Sequence, residues 1–467
     1  AGGIIAAERN IVLFIKDDQS PDAGCYGNPE IRTPGIDHIA ATGVRFDNFF
    51  VSTPVCSPSR ATLLTGRIAS QHGVHDWIRG GNTGPDAASY LEEEIAYTDI
   101  LAAHGWTCGL SGKWHLGNSQ IPQHGFSHWF VHQGGGGVYN NAPMIRDGEP
   151  ITAPGYVTNV ITDDALAFID RRASDHQPFY LGVHYTAPHS PWDGHPQDIV
   201  DSYDDCPFDS CPQEPIHPWA GGLTHNNMGD RESLQGYFAA VTAMDMDVCR
   251  ILEKLEALGI RDNTLVIFLS DNGFSLGHHG FWGKGNGTYP PNMYENSIKV
   301  PAVMSHPACI PQGIVQSAMI SSCDFMPTLL EYLDLPIPQD RNLSGSAMVP
   351  LWQGEEGVGR DHVIICDEYG DTRMIRTVDW KYVHRYPDGP HELYDLTNDP
   401  DERINLVDEA SQAKRRRLLQ GELESWFDRY ADPEKDGRGC GVTGMGQLRP
   451  IFGRWDNDHP TFAGLED

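Results

Sequence analysis

The sequence predicts an α/β fold: a large mixed, mainly parallel sheet flanked by helices, with a smaller C-terminal α+β subdomain carrying an antiparallel sheet. Three observations predict it. First, Ile11-Val12-Leu13-Phe14-Ile15, Phe179-Tyr180-Leu181-Gly182-Val183 and Leu265-Val266-Ile267-Phe268-Leu269 are continuous apolar runs, the pattern of strands covered on both faces. Second, each run ends in polar residues: Lys16-Asp17-Asp18, His184 to His189, and Ser270-Asp271-Asn272-Gly273. Third, helix-patterned stretches at 161–173 and 233–259 lie between the runs. Sheets of this kind bind ligands beyond the carboxyl ends of their strands, where these polar residues fall.

The remaining elements follow in chain order. Val44-Arg45-Phe46-Asp47-Asn48-Phe49-Phe50 alternates as a strand does, and Ser52-Thr53-Pro54 stops it. Ser57 to Thr65 reads as a short helix, with Pro58 in its first turn and Gly66 placed to end it. Cys56 is thereby set at a helix N-terminus, where free N–H groups and the dipole favour an anion. Arg60 lies one turn on, within reach of position 56. Past residue 360, Val363-Ile364-Ile365, Arg373 to Thr377 and Trp380 to Arg385 read as short strands, followed by Glu392-Leu393-Tyr394-Asp395-Leu396 and a helix over about 410–430. Such a unit is a small antiparallel sheet packed by one helix. The domain reading is therefore 1–358 and 359–467, with a Gly-, Asp- and Pro-rich tail after Asp432 wrapping the larger unit.

Composition excludes several functions. The 467 residues, 39% hydrophobic and 21% charged, are those of a globular protein of more than one unit. A formal charge of −31 argues against nucleic acid as a partner, although a deep site can still hold cations of its own. No apolar run reaches the roughly 18 residues a membrane span needs. The ten cysteines contain no CxxC pair of the kind structural zinc uses. Cys206 and Cys211, in an Asp- and Pro-rich loop, are placed to close a small disulfide. Asn286 and Asn342 head glycosylation-type tripeptides. The opening Ala1-Gly2-Gly3-Ile4 lacks Met and a signal-like segment, as a chain with its leader removed would.

Asp17-Asp18 at one strand end and Asp271-Asn272 at another offer hard oxygen ligands with three negative charges. That set suits Ca²⁺, or Mg²⁺, and not zinc. A divalent cation there would draw charge from a substrate oxygen as a Lewis acid.

Cys56-Ser57-Pro58-Ser59-Arg60 with Ala61 to Arg67 behind it resembles the signature of type I sulfatases, in which the cysteine is oxidised to formylglycine. A hydrated aldehyde carries two hydroxyls on one carbon: one can attack sulfur, and the other can later expel sulfate as the carbonyl re-forms. From Asn10-Ile11-Val12 to Glu392-Leu393-Tyr394-Asp395-Leu396 and Asp399-Pro400-Asp401-Glu402, the chain looks like a formylglycine-dependent sulfatase of the alkaline phosphatase superfamily.

The resemblance implies that Asp17, Asp18, Asp271, Asn272 and modified Cys56 coordinate calcium, and that Arg60 holds the formylglycine. Ser111-Gly112-Lys113-Trp114-His115-Leu116-Gly117 is similar to a family segment in which Lys113 would contact sulfate and His115 would take the proton that releases it. Ala187-Pro188-His189-Ser190-Pro191 and Gly283-Lys284-Gly285 are similar to segments whose His189 and Lys284 would bind sulfate oxygens and protonate the leaving alkoxide. Between Lys284 and Met293-Tyr294-Glu295 this chain is longer than many members, and Lys16 stands where a small residue is common. A maturation enzyme acting on Cys56, and a periplasmic or secreted location, are further expectations of the resemblance.

Specificity falls to the surrounding loops. His75-Asp76-Trp77-Ile78-Arg79, Trp192-Asp193-Gly194-His195 and His278 to Trp282 combine stacking rings with hydrogen-bonding groups, as sugar rings require. His75, Asp76, Trp77, Arg79, Trp192, His195 and Trp282 are the substrate-binding candidates, and a small sulfated sugar or oligosaccharide is the expected substrate. Two alternatives stand beside this reading. One is a phosphodiester or phosphonate monoester hydrolase on the same site; the other is an unmodified, inactive sulfated-glycan binding protein.

Overall fold

The computed structural model describes residues 9–175, 177–355, 359–439, 444–451 and 460–464. Ala1-Gly2-Gly3-Ile4, Cys440 and the residues just before the expected boundary at 358/359 lie outside them. The central element is the strand Asn10–Lys16, buried along its whole length. It runs parallel to Phe179–His184 on one side and to Thr264–Ser270 on the other. Beyond Phe179–His184 come Thr107–Gly112 and Phe126–His132, both parallel, then an antiparallel margin of Asn140–Arg146 and Glu149–Tyr156. Beyond Thr264–Ser270 the sheet continues through antiparallel Lys299–Ser305 to Val44–Phe50, which thus points the same way as the centre. The short strands Ile314–Gln316 and Ile320–Ser321 bring the sheet to eleven strands among the described residues.

Alternation in the central strand explains its two-sided apolar sequence. Ile11, Leu13 and Ile15 enter one hydrophobic core, while Val12 and Phe14 enter the other. The helices Val157–Ala173 and Arg231–Ala257 cover the second face through residues such as Ile161, Phe168, Met244 and Val248. Fully burying side chains of this size is worth roughly 1.5–3 kcal/mol each.

The C-terminal unit is a four-stranded antiparallel sheet, His362–Asp367, Thr372–Thr377, Trp380–Arg385 and Glu392–Asp395. The helix Ala413–Tyr430 packs on it through Leu419, Leu423 and Phe427. Ile68, Ala69 and Cys323 of the larger unit join the same hydrophobic cluster, so the small sheet and the segment after the Cys56 helix share a core.

Candidate active site

The parallel centre of the sheet sets up the site. Lys16 pairs with Ser270, and Asp271 N–H donates to Lys16 O at 3.1 Å, so Asp17 and Asp271 leave adjacent strand ends at one level. Gly112 pairs with His184, and Lys113 N–H donates to His184 O at 2.7 Å. Gly112 has φ 116°, and a Cβ there would lie 1.9 Å from His184 O, so only glycine permits the turn that brings Lys113 inward. Val44–Phe50 delivers Cys56 to the same edge, as the first residue of the helix Cys56–Thr65. Asp18 and His115 themselves hold left-handed backbone, at φ 67° and 58°. Such conformations in non-glycine residues concentrate at functional sites.

The side chains converge on Cys56. Its thiol contacts Asp17 Oδ1 at 3.1 Å and receives Lys284 Nζ at 2.6 Å. Lys284 also donates to Asp18 Oδ1 at 2.5 Å, and Lys113 Nζ donates to Asp17 Oδ2. Arg60 Nε binds Asp271 Oδ2 at 2.8 Å, and its Nη1 donates to Lys113 O at 3.1 Å. His189 Nε2 lies 3.8 Å from Asp18 Oδ2, while its Nδ1 meets Ser190 O at 2.7 Å. His115 Nε2 meets Ile78 O at 3.0 Å. The extra length after Lys284 forms a short turn over Gly285–Gly287 that leaves the lysine in place.

Four candidate metal ligands form one cluster: an atom each of Asp17, Asp18, Cys56 and Asp271 lies within 4.8 Å of every other. Asp271 Oδ1 and Asn272 Oδ1 are buried without a hydrogen-bond partner among the described residues. Buried oxygens of that kind are costly unless something satisfies them. The oxygens of Asp17, Asp18, Asp271 and Asn272, two of them orphaned, fit a hard divalent cation, whereas the unmodified Cys56 sulfur is a softer ligand.

Electrostatics separate the roles of these groups. Burial alone would raise the Asp17 carboxyl, but Lys113, His189, Lys284 and Arg60 hold it well below the usual carboxylate range. Asp271 goes the other way, pushed up to about 6 by burial and by the Asp17 charge. Burial opposes the charge on Lys284, yet Asp18, Cys56, Asp17 and Asp271 keep its pKa well above normal. Burial and then Lys113 hold His115 well below the usual histidine range, so it remains a neutral imidazole. The Cys56 thiol is pushed far up by burial and the Asp17 carboxylate. An unmodified thiol at this position would stay protonated and be a weak nucleophile.

A cavity of about 460 Å³ opens over these groups, lined by Cys56, His115, His189 and Lys284 among others. Trp77 and Arg79 line it as well. The other substrate-binding candidates do not. Trp282 is fully buried and packs edge-on against Trp192 at 5.1 Å, with Phe274 beside them. Trp192 donates to Pro188 O at 2.9 Å and Trp282 to Gln213 Oε1 at 3.2 Å, so both indole N–H groups are engaged within the chain. His195 is buried against Tyr139 and bonded to the Tyr156 hydroxyl at 3.0 Å. His75 binds Lys435 O at 2.7 Å, and Asp76 accepts from Trp77 N and Gly446 N at 2.6 and 2.7 Å. These five lie outside the lining of this cavity and are held by contacts within the chain, although His75 Nδ1 and His195 Nε2 have no partner among the described residues.

Sequence reasoning did not assign a substrate-binding role to other lining residues, among them Asn82, Gly134 to Gly136, Leu223, Phe274 and Asn286. The run Gln133-Gly134-Gly135-Gly136-Gly137 was the available signal. A Cβ on Gly135 would fall 2.2 Å from His115 Nε2, so the glycine loop lies flat against that ring. A glycan on Asn286 would fill the cavity, and Asn342 Nδ2 is engaged with Arg429 O at 3.0 Å. Cys206 and Cys211 are free thiols, not the disulfide their spacing suggested. Lys16 is fully buried with Nζ 5.0 Å from the centre of the Phe268 ring.

Comparison with known proteins gives consistent matches. The Sulfatase family model matches residues 9–335, and the model described as N-sulphoglucosamine sulphohydrolase, C-terminal, matches 277–428. The chain is 28% identical to an N-acetylglucosamine-6-O-sulfatase of Bacteroides thetaiotaomicron, over 91% of this chain and 88% of that one. It is 30% identical to the N-acetylgalactosamine-6-sulfatase of Canis lupus familiaris, over 79% of this chain and 70% of that one. A solved structure of a protein with its substrate D-glucosamine-2-N,6-O-disulfate superposes with a TM-score of 0.78 at 26% identity, covering 92% of this chain and 99% of that one.

Proposed function

The chain belongs to the sulfatase family, a type I sulfatase of the alkaline phosphatase-like superfamily and a sulfuric ester hydrolase, and from that premise we propose a substrate, a cofactor and residue roles. The substrate is a sulfate ester on a carbohydrate, opened by a formylglycine made from Cys56 with the help of one calcium ion. The observation that carries the reading is the placement of Cys56 at a helix start, between Asp17 at 3.1 Å and Lys284 at 2.6 Å, in a cavity large enough for a sugar. The raised pKa of the unmodified thiol supports a different nucleophile at that carbon. Relatives named for sulfated amino sugars support the carbohydrate.

Asp17, Asp18, Asp271 and Asn272 would hold the calcium, with Mg²⁺ the alternative, and the ion would neutralise charge on a sulfate oxygen. The hydrated aldehyde would supply one hydroxyl as nucleophile and a second through which sulfate departs. Lys113, Lys284 and Arg60 place positive charge where the transferring group spreads its negative charge. His189 donates a proton to the sugar oxygen as the ester breaks. His115, neutral because it is buried beside Lys113, accepts the proton that accompanies sulfate release. Trp77 and Arg79 at the cavity wall supply a stacking face and a donor fork for the sugar.

The reading requires an oxidising maturation enzyme as a partner of the nascent chain. It also suits a periplasmic or secreted protein, because sulfated polysaccharides are met outside the cell; no helix among the described residues is long and apolar enough to cross a membrane. Mass spectrometry of the peptide spanning Cys56, on a preparation with measured turnover, tests the nucleophile: an aldehyde is expected, and an intact thiol at full turnover removes it. Aryl sulfate is expected to turn over faster than an aryl phosphodiester; the reverse order would make the protein a phosphodiesterase on the same scaffold.

A further inference from the structure

The segment at 444–451, near the C-terminal end of the chain, reaches back across the molecule to the loop that walls the cavity. Gln447, fully buried, is its centre. Its Oε1 accepts from His75 N at 2.9 Å and Asp76 N at 3.3 Å. Its Nε2 donates to Gly73 O and to Arg449 O, each at 3.0 Å. A side-chain amide offers two donors and two acceptor positions, and here all are used. The main chain of the same residue brackets the loop: Gln447 N donates to Trp77 O at 2.8 Å, and Arg79 N donates to Gln447 O at 2.9 Å. Ile78 is therefore held from both sides as a one-residue parallel bridge with Gln447.

The peptide groups of Ile78 face the reaction centre. Its N–H donates to Ser57 Oγ at 3.2 Å, next to Cys56. Its carbonyl, which can only accept, takes the proton on His115 Nε2 at 3.0 Å. That bond fixes the tautomer and leaves Nδ1 as the nitrogen without a proton, buried without a partner among the described residues. The Gly135 backbone packs against the same end of the ring, where a Cβ would fall 2.2 Å from Nε2, and limits its movement.

We propose that Gln447 is a positioning residue for catalysis: it locks Trp77–Arg79 so that the Ile78 carbonyl holds His115 in the Nε2–H tautomer with Nδ1 free to accept a proton. This rests on the role given to His115 above. The tail is thus part of the active-site support, although Gln447 touches neither Cys56 nor any metal-ligand candidate.

The test compares Gln447→Ala and Gln447→Glu with the parent enzyme. Gln447→Glu keeps an oxygen to accept from His75 and Asp76. With nitrophenyl sulfate, Gln447→Ala is expected to lose about tenfold or more in kcat, and its acid limb to move toward higher pH as His115 gains water and its pKa recovers. Inhibition by inorganic sulfate should stay within about twofold, because Lys113, Lys284 and Arg60 do not depend on the tail. Gln447→Glu should recover part of the kcat.

A folded Gln447→Ala with parental kcat and an unmoved acid limb overturns the proposal. Equal losses in kcat and sulfate affinity overturn it as well, because they describe general loosening. A second readout does not depend on turnover. Nitrogen-15 histidine spectra should show His115 as the Nε2–H tautomer in the parent and as an averaged pair in Gln447→Ala; unchanged spectra count against it. Absence of any sulfatase turnover in the parent would instead defeat the functional reading, leaving the tautomer measurement to decide the clamp.

Discussion

Lys284 Nζ stands 2.6 Å from Cys56 Sγ and, from the same position, 2.5 Å from Asp18 Oδ1. One ammonium group thus joins the candidate nucleophile to a candidate metal ligand. Lys113 Nζ donates to Asp17, a second candidate metal ligand. Carboxylates packed this closely repel one another unless cations intervene, and the two lysines supply part of that compensation from within the chain.

The remaining compensation is expected to come from calcium. Chelation should abolish most of the activity and lower Tm, and added calcium should restore both. At free calcium about 100 times its Kd the ion adds about 2.7 kcal/mol of stability. Asp271→Ala should remove the calcium dependence of Tm; a Tm indifferent to calcium in the parent protein would dismiss the site.

His189 has its Nε2 3.8 Å from Asp18 Oδ2 and lines the cavity. If it protonates the departing oxygen, its loss matters most for poor leaving groups. His189→Ala should slow a sulfated sugar by about 10²-fold or more and spare nitrophenyl sulfate by comparison. Arg60→Ala should slow both alike. Equal losses in the His189 variant would leave that residue a sulfate binder and move the proton to Lys284.

The two tryptophans in the specificity loops should behave differently. Trp282 is fully buried, and Trp282→Ala is expected to cost about 3–5 kcal/mol of stability with little specific effect on KM. Trp77 lines the cavity, and Trp77→Ala should raise KM for a sulfated sugar while leaving Tm nearly unchanged. Thermal melts and initial rates on the two proteins distinguish wall from core.

Asp367 ends a strand of the small sheet and is fully buried. Burial, with the Glu368 carboxylate adding to it and the Tyr369 N–H opposing it, lifts its pKa from 3.8 to about 7. The folded protein therefore holds a proton there that the unfolded chain releases at lower pH. Its contribution is complete below about pH 4 and is lost as pH rises toward about 7, at up to about 1.4 kcal/mol per pH unit. Asp367→Asn should flatten that part of the stability profile, read as Tm against pH, and be more stable than the parent near neutrality. An unchanged slope would show that the carboxyl ionises freely in the fold.

Much of the fold was legible because strand period and burial are local properties. The three apolar runs paired as neighbours, and the polar residues at their ends met at one edge. That the catalytic and metal candidates would converge was legible because each sits directly after such a run or in a short distinctive segment. The sugar-binding candidates were less so. Trp282 and Trp192 have the composition of a stacking platform, but whether an indole faces a cavity or another indole depends on packing between distant segments. The same limit hid the glycine loop over His115 and the tail contact at Gln447, separated from its partner His75 by 372 positions.

The order in which the chain is made also bears on Cys56. Its thiol is buried at 2% exposure, and one wall around it is Lys284, 228 residues further along. Arg60 meets Asp271 only after a separation of 211 residues. At synthesis rates of about 5–20 residues per second, the Cys56 segment exists for roughly 10–50 s before these partners do. During that interval the thiol lacks these partners, and the maturation enzyme proposed above would meet it as part of an open chain. In the finished fold Thr264–Ser270 lies beside Asn10–Lys16 and the thiol is covered, so the topology of the sheet would set a deadline for the proposed oxidation of Cys56.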